Sequence, residues 1–98
     1  MRRYVIERDL PGAGDLSESQ LQDIAKTSNA ALREMGPGIQ WEHSYVTGDR
    51  IYCVYLAENE EMLREHARRG GFPCTEVNAV GEVIGPLTAN SKHTDGQR

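Results

Sequence analysis

The chain has too few cysteines for a disulfide framework. Cys53 and Cys74 are its only two, and no C-x-x-C or H-x-x-x-H spacing occurs, so no local metal motif is present. Both are expected as free thiols in a reducing compartment. No apolar run reaches the length of a membrane span or a signal-peptide core, and the expected location is the cytoplasm. Positive charge is in deficit. Eleven Lys and Arg against fifteen Asp and Glu leave a net charge of −4, which argues against nucleic acid, a partner that needs a basic face. The same charge suits cations, and it is also ordinary solubility charge for a small domain. Gly12 and Gly14 lack the Lys-Ser/Thr that would make a phosphate loop.

Aromatic residues are scarce at 6%, but they are concentrated. The stretch Trp41 to Leu56, WEHSYVTGDRIYCVYL, holds the only Trp, three of the four Tyr, Cys53 and His43. It reads as two strands joined by a turn centred on Gly48-Asp49. A two-residue turn sets Val46 opposite Ile51, Tyr45 opposite Tyr52 and His43 opposite Val54. One face then carries Trp41, His43, Tyr45, Tyr52, Val54 and Leu56, and this face is expected to meet the helices. The other carries Glu42, Ser44, Val46, Ile51, Cys53 and Tyr55. Neither face is polar enough to be left wet. One is therefore expected under helices and the other under a second subunit, which predicts a homodimer.

The rest of the chain supplies the covering elements. Arg2 to Arg8 alternates as a strand, closed by Glu7, Arg8 and Asp9. Ser17 and Gln20 form a capping box, with Leu16 and Leu21 as its staple, and Leu21, Ile24, Ala25, Ser28, Leu32 and Met35 recur at helical spacing. Gly36-Pro37 ends that helix. Asn59 caps a second helix, which has Glu60 and Glu61 in its first turn and Met62, Leu63, His66, Ala67 and Gly70 on its inner stripe. Thr75 to Asn78 reads as a short helical turn, and Val80 to Ile84 as the last strand. Residues 1–86 are expected to form one domain, with 87–98 as a disordered polar tail. The order predicts an α+β, ferredoxin-like βαββαβ fold, an antiparallel sheet with two helices on one face that dimerises through the other.

The blocks RRYVIERDLPG, IQWEHSYV, DRIYCVYLAENEE and REHARRGGFP together resemble the small bacterial DUF4242 family, over about Arg2 to Pro86. Members of that family are described as nickel-binding or nickel-responsive, ferredoxin-like and dimeric. The resemblance implies a homodimer that binds Ni²⁺ for sequestration or detoxification.

The residues themselves supply the candidate ligands. Imidazole and carboxylate suit Ni²⁺. His43 lies mid-strand between Trp41 and Tyr45, His66 lies on the inner stripe of the second helix, and Glu7 lies mid-strand, so the three are the expected metal ligands. The alternatives are that both histidines are satisfied core residues and that Glu7 pairs with an arginine. His93 is expected in solvent. The competing functional reading is a cofactor-independent small-molecule enzyme of isomerase or oxygenase type. Its pocket would lie between sheet and helices, with His43 as general base and Glu7 or His66 orienting it.

Overall fold

A computed structural model describes residues 1–90. Strand β1 (Arg2–Asp9) leads through a 3-10 turn at Ala13–Asp15 into helix α1 (Glu18–Met35). Strands β2 (Ile39–Val46) and β3 (Arg50–Ala57) form the hairpin. Helix α2 (Glu60–Gly70) and strand β4 (Glu76–Ala79) follow, with a second 3-10 turn at Pro86–Asn90. The sheet order is β2-β3-β1-β4, and every pairing is antiparallel. This is the ferredoxin-like arrangement predicted.

Local chemistry sets the ends of both helices. The Ser17 hydroxyl accepts from the Gln20 backbone N–H at 3.1 Å, and the Gln20 side chain accepts from the Ser17 N–H at 2.8 Å. That capping box satisfies two donors the helix itself leaves open. Asn59 Oδ1 accepts from Met62 N at 3.0 Å at the start of α2. Gly71, at φ +71°, ends α2 in the left-handed region. The Phe72 N–H then bonds back to the Ala67 carbonyl at 2.8 Å. A Cβ on Gly70 would lie 2.3 Å from the Phe72 ring, so Gly70 is what allows that ring to fold over the helix end.

The hairpin departs from the simple two-strand ladder at one residue. The turn is as expected, with Val46 opposite Ile51, Tyr45 opposite Tyr52 and His43 opposite Val54. Trp41, however, pairs with Tyr55 rather than Leu56, and the register shifts between Trp41 and His43. Glu42 is the extra residue of a β-bulge. Since strand side chains alternate with period two, one added residue carries Trp41 to the opposite face from His43. The Trp41 indole N–H donates to Ser44 Oγ at 2.9 Å, and this bond spans the bulge.

Which face lies under the helices also differs from expectation. The covered face carries Tyr4, Ile6 and Arg8 from β1, and Ile51, Cys53, Tyr55 and Ala57 from β3, all of them buried. Leu63, His66 and Ala67 of α2 and Ser28 and Ala31 of α1 are buried above it. His43 and Tyr45 are exposed on the open face, where Val5, Glu7, Tyr52, Val54 and Leu56 are half-buried. Both hairpin faces are partly apolar, so the hairpin alone does not choose between them. Pairing with β1 does, because Ile6 sits opposite Cys53 and Tyr4 opposite Tyr55.

The last strand is displaced from its expected position. Glu76–Ala79 is β4, not a helical turn, and Val80 to Ile84 is not a strand. Antiparallel pairing sets Ala79 opposite Tyr4, and Val80 N bonds to Arg3 O at 2.9 Å. The ladder ends at Ala79 although β1 begins at Arg2, and residues 81–85 are in no strand. Val83 and Ile84 are left 68% and 76% exposed. Of the expected tail, Leu87 to Asn90 belong to the second 3-10 turn, while 91–98, with His93, lie outside the described residues.

Candidate functional site

Alternation along β1 turns Tyr4, Ile6 and Arg8 inward, so a guanidinium is delivered to the covered face at 4% exposure. Arg8 Nη1 donates to the Pro73 carbonyl at 2.6 Å, Nη2 to the Tyr55 hydroxyl at 3.2 Å, and Nε to Cys53 Sγ at 3.4 Å. The Phe72 ring centroid lies 5.4 Å from its central carbon. None of these partners is a carboxylate. Among the described residues, no acidic side chain reaches ion-pair distance of Arg8.

The network continues into α2 and α1. Tyr55 OH lies 3.4 Å from His66 Nδ1, and His66 Nε2 lies 3.2 Å from Ser28 Oγ and 3.4 Å from Ser28 O. Tyr55 accepts from Arg8, which leaves its own proton for Nδ1. The Nε2–H then donates to Ser28, and that assigns the tautomer. His66 is fully buried. Burial lowers its pKa below the ordinary value and the Arg8 charge adds to this, while the bond to the Ser28 backbone opposes it. Burial also pushes the Tyr55 phenol up to about 12, against the pull of Arg8, so both groups are neutral near pH 7.

A partly open cleft of about 230 Å³ lies between this face and the first half of α1. Leu21, Ile24 and Ala25 form its helix wall, and Trp41, Val46 and Ile51 its sheet floor. Arg8, Ser28, Cys53 and Tyr55 also line it, with Phe72 and Pro73 alongside. His43 does not. It is on the other side of the sheet, opposite Val54, while the bulge carries Trp41 to the covered face. The general-base role expected for His43 in a pocket between sheet and helices is therefore corrected.

The open face carries a different chemistry. Arg3 grips Glu42 with two bonds, at 2.8 and 3.1 Å, and that hydrogen bonding holds the Glu42 carboxyl below the usual carboxylate range. Glu7 accepts from Arg50 at 3.0 Å, and Arg50 also reaches Asp9 at 2.9 Å. His43 makes an edge contact with the Tyr45 ring, centroids 5.0 Å apart.

The three expected metal ligands are thus divided. His43 and Glu7 share the open face, and His66 is enclosed on the covered one. His43 and Glu7 are two strands apart and offset by one same-face position, so their Cα atoms are roughly 12 Å apart by standard sheet spacing. Among the described residues, no group of three or more His, Cys, Asp or Glu side chains is placed to hold a metal ion. Among the described residues of one chain, the donors do not make a complete nickel site.

Arg8 is not among the site residues expected from the sequence, where it closes β1 as a charge, although its two-residue spacing from Ile6 sets both on one face. Nor are Tyr55 and Ser28, because each lies within an apolar stripe.

No curated protein matches the chain. A crystal structure of SCO4226 from Streptomyces coelicolor A3(2) matches with a TM-score of 0.70 at 16% identity, covering 84% of this chain and 99% of that one, and supports the fold. The family described as "Nickel responsive protein SCO4226-like" matches residues 4–80. That span takes in β1 from Tyr4 onward, the other three strands and both helices, and the chain belongs to the SCO4226-like family of nickel responsive proteins.

Proposed function

We propose that this protein is a non-catalytic nickel-binding protein that acts as a homodimer in the cytoplasm, sequestering or detoxifying the metal. Family membership is the observation that carries this reading, and the resemblance to the DUF4242 family points the same way. The open face supports it. Val5, Tyr52, Val54 and Leu56 are half-buried there, and Tyr45 is 60% exposed. A patch of this kind, rimmed by the Arg3–Glu42 and Arg50–Glu7 pairs, is suited to a second copy of the chain. A two-fold contact there brings His43 and Glu7 of each copy into one interface, which adds donors to those of the described residues of one chain. Val83, Ile84 and Leu87 are further exposed apolar side chains that a partner would cover. Two unpaired cysteines suit a reducing compartment.

The test is calorimetric titration of tag-free protein with Ni²⁺, Co²⁺, Cu²⁺ and Zn²⁺, alongside sedimentation. Wild-type protein is expected to bind Ni²⁺ with Kd at or below about 10 μM, and His43→Ala to bind it far more weakly while sedimenting as the wild type does. Absence of Ni²⁺ binding at that concentration removes the nickel reading. A monomer across the accessible concentration range removes the shared site.

A further inference from the structure

The proposed nickel site lies on the open face. The covered face holds a feature that nickel binding does not use. Arg8 carries a permanent positive charge, since a guanidinium does not lose its proton in proteins. It is 96% buried, from an exposure of 4%. Its neighbours are a carbonyl, a neutral phenol, a sulfur and an aromatic ring. Removing a charge from water without a counter-charge is costly, and buried charges are ordinarily paired. Of the five N–H groups of an arginine, three are used, which leaves one on each of Nη1 and Nη2. That pair of donors matches the two oxygens of a carboxylate.

The cleft beside Arg8 supplies the rest of a ligand site. Its walls are apolar at Leu21, Ile24, Trp41, Val46 and Ile51, and its volume is about 230 Å³. An apolar cavity of about 150 Å³ takes up benzene. By the same measure this cleft has room for about nine non-hydrogen atoms. One cation at the wall of an apolar slot selects a ligand with one anionic end and a compact apolar body. A phosphate ester would bring more charge than one guanidinium offsets. A wholly apolar molecule would leave Arg8 uncompensated.

We propose that the cleft between the sheet and α1 binds a small monocarboxylic acid with an aromatic or branched aliphatic body, its carboxylate paired with Arg8. The Tyr55–His66–Ser28 chain holds the guanidinium in place from behind. The Gly70–Gly71 turn sets Phe72 against it from the side. The site is on the opposite side of the sheet from His43 and Glu7, so it stands or falls separately from nickel binding.

The test uses metal-free full-length protein with a chelator present. Benzoate and phenylacetate are the probes, and benzamide is the uncharged control. Binding is followed by fluorescence of Trp41, the only tryptophan, and by amide NMR shifts. The carboxylates are expected to bind with Kd below about 1 mM, and benzamide at least about tenfold more weakly. Arg8→Lys keeps the charge but loses the fork, and is expected to weaken benzoate by about tenfold. Ala25→Leu fills the helix wall, leaves Arg8 in place and is expected to abolish binding. Because Arg8 variants risk misfolding, the benzamide comparison and Ala25→Leu decide the matter without them. The proposal is overturned if neither carboxylate binds at about 10 mM, if benzamide binds as well as benzoate, or if Ala25→Leu binds benzoate unchanged.

Discussion

The two faces of the sheet handle polar groups in opposite ways. On the open face, charged side chains are paired and wet, as Arg3 is with Glu42 and Arg50 with Glu7. On the covered face, Arg8 and His66 are buried and joined through Tyr55, with no carboxylate among their partners. Exposed pairs contribute little to stability, because water screens them and long side chains lose freedom in forming them. Buried polar groups matter far more, because breaking one bond strands its partner away from water. Sensitivity to substitution should therefore be sharply unequal across a sheet only one layer thick.

The largest effect is expected in the packed layer. Leu63 is fully buried, and Leu63→Ala should cost about 2–5 kcal/mol, read as a lowered midpoint of denaturant unfolding. A cost near zero would mean that α2 is not seated as described. Gly70→Ala tests how firmly Phe72 is held. Helix propensity alone favours Ala by about 0.5–1 kcal/mol, whereas collision with the Phe72 ring opposes it by about 1–3 kcal/mol. Net destabilisation, with a shifted Phe72 ring signal, is the expected outcome. A stabilised variant would show that the ring moves freely.

Next comes pH. The unfolded chain takes up the His66 proton near the ordinary value of 6.5, and the folded chain takes it up only at lower pH. Protons therefore favour the unfolded state once pH falls below 6.5. The stability His66 contributes is complete above that value and is lost as pH drops through its folded pKa. An NMR titration placing the His66 midpoint at or above 6.5 would contradict this. Ser44→Ala removes the acceptor of the Trp41 indole N–H at the bulge and should cost about 1 kcal/mol.

The smallest effect is expected on the open face, where Glu42→Gln should leave the thermal midpoint essentially unchanged in moderate salt. Leu56→Glu, on the same face, sharpens the contrast. If a second copy covers this face, the variant sediments as a monomer. If it sediments as the wild type does, the two-fold contact lies elsewhere.

Local signals in the sequence carried most of the fold. The Ser17–Gln20 box, the Asn59 cap, the Gly48-Asp49 turn and the alternation in β1 each act within a few residues, and each is present in the structure. Three features were not legible. The bulge at Glu42 depends on how β2 lies against β3, and no residue near it announces an extra position. The place of β4 depends on its register against β1, which sets Glu76–Ala79 opposite Tyr4–Glu7. The choice of covered face depends on cross-strand partners more than forty residues apart, such as Ile6 and Cys53.

The candidate site divides along the same line. Period-two alternation by itself determined that Arg8 shares a face with Tyr4 and Ile6 and that Glu7 does not, and helical spacing determined that His66 shares the apolar stripe of α2. Only the tertiary structure decided that His43 and His66 lie on opposite sides of the sheet. The pairing of β1 with β3 chose the covered face, with His43 opposite Val54 on the open one, and that pairing is not a property of any local stretch of chain. Side-chain direction is local once the face is known, but which face is buried is settled by the neighbouring strands.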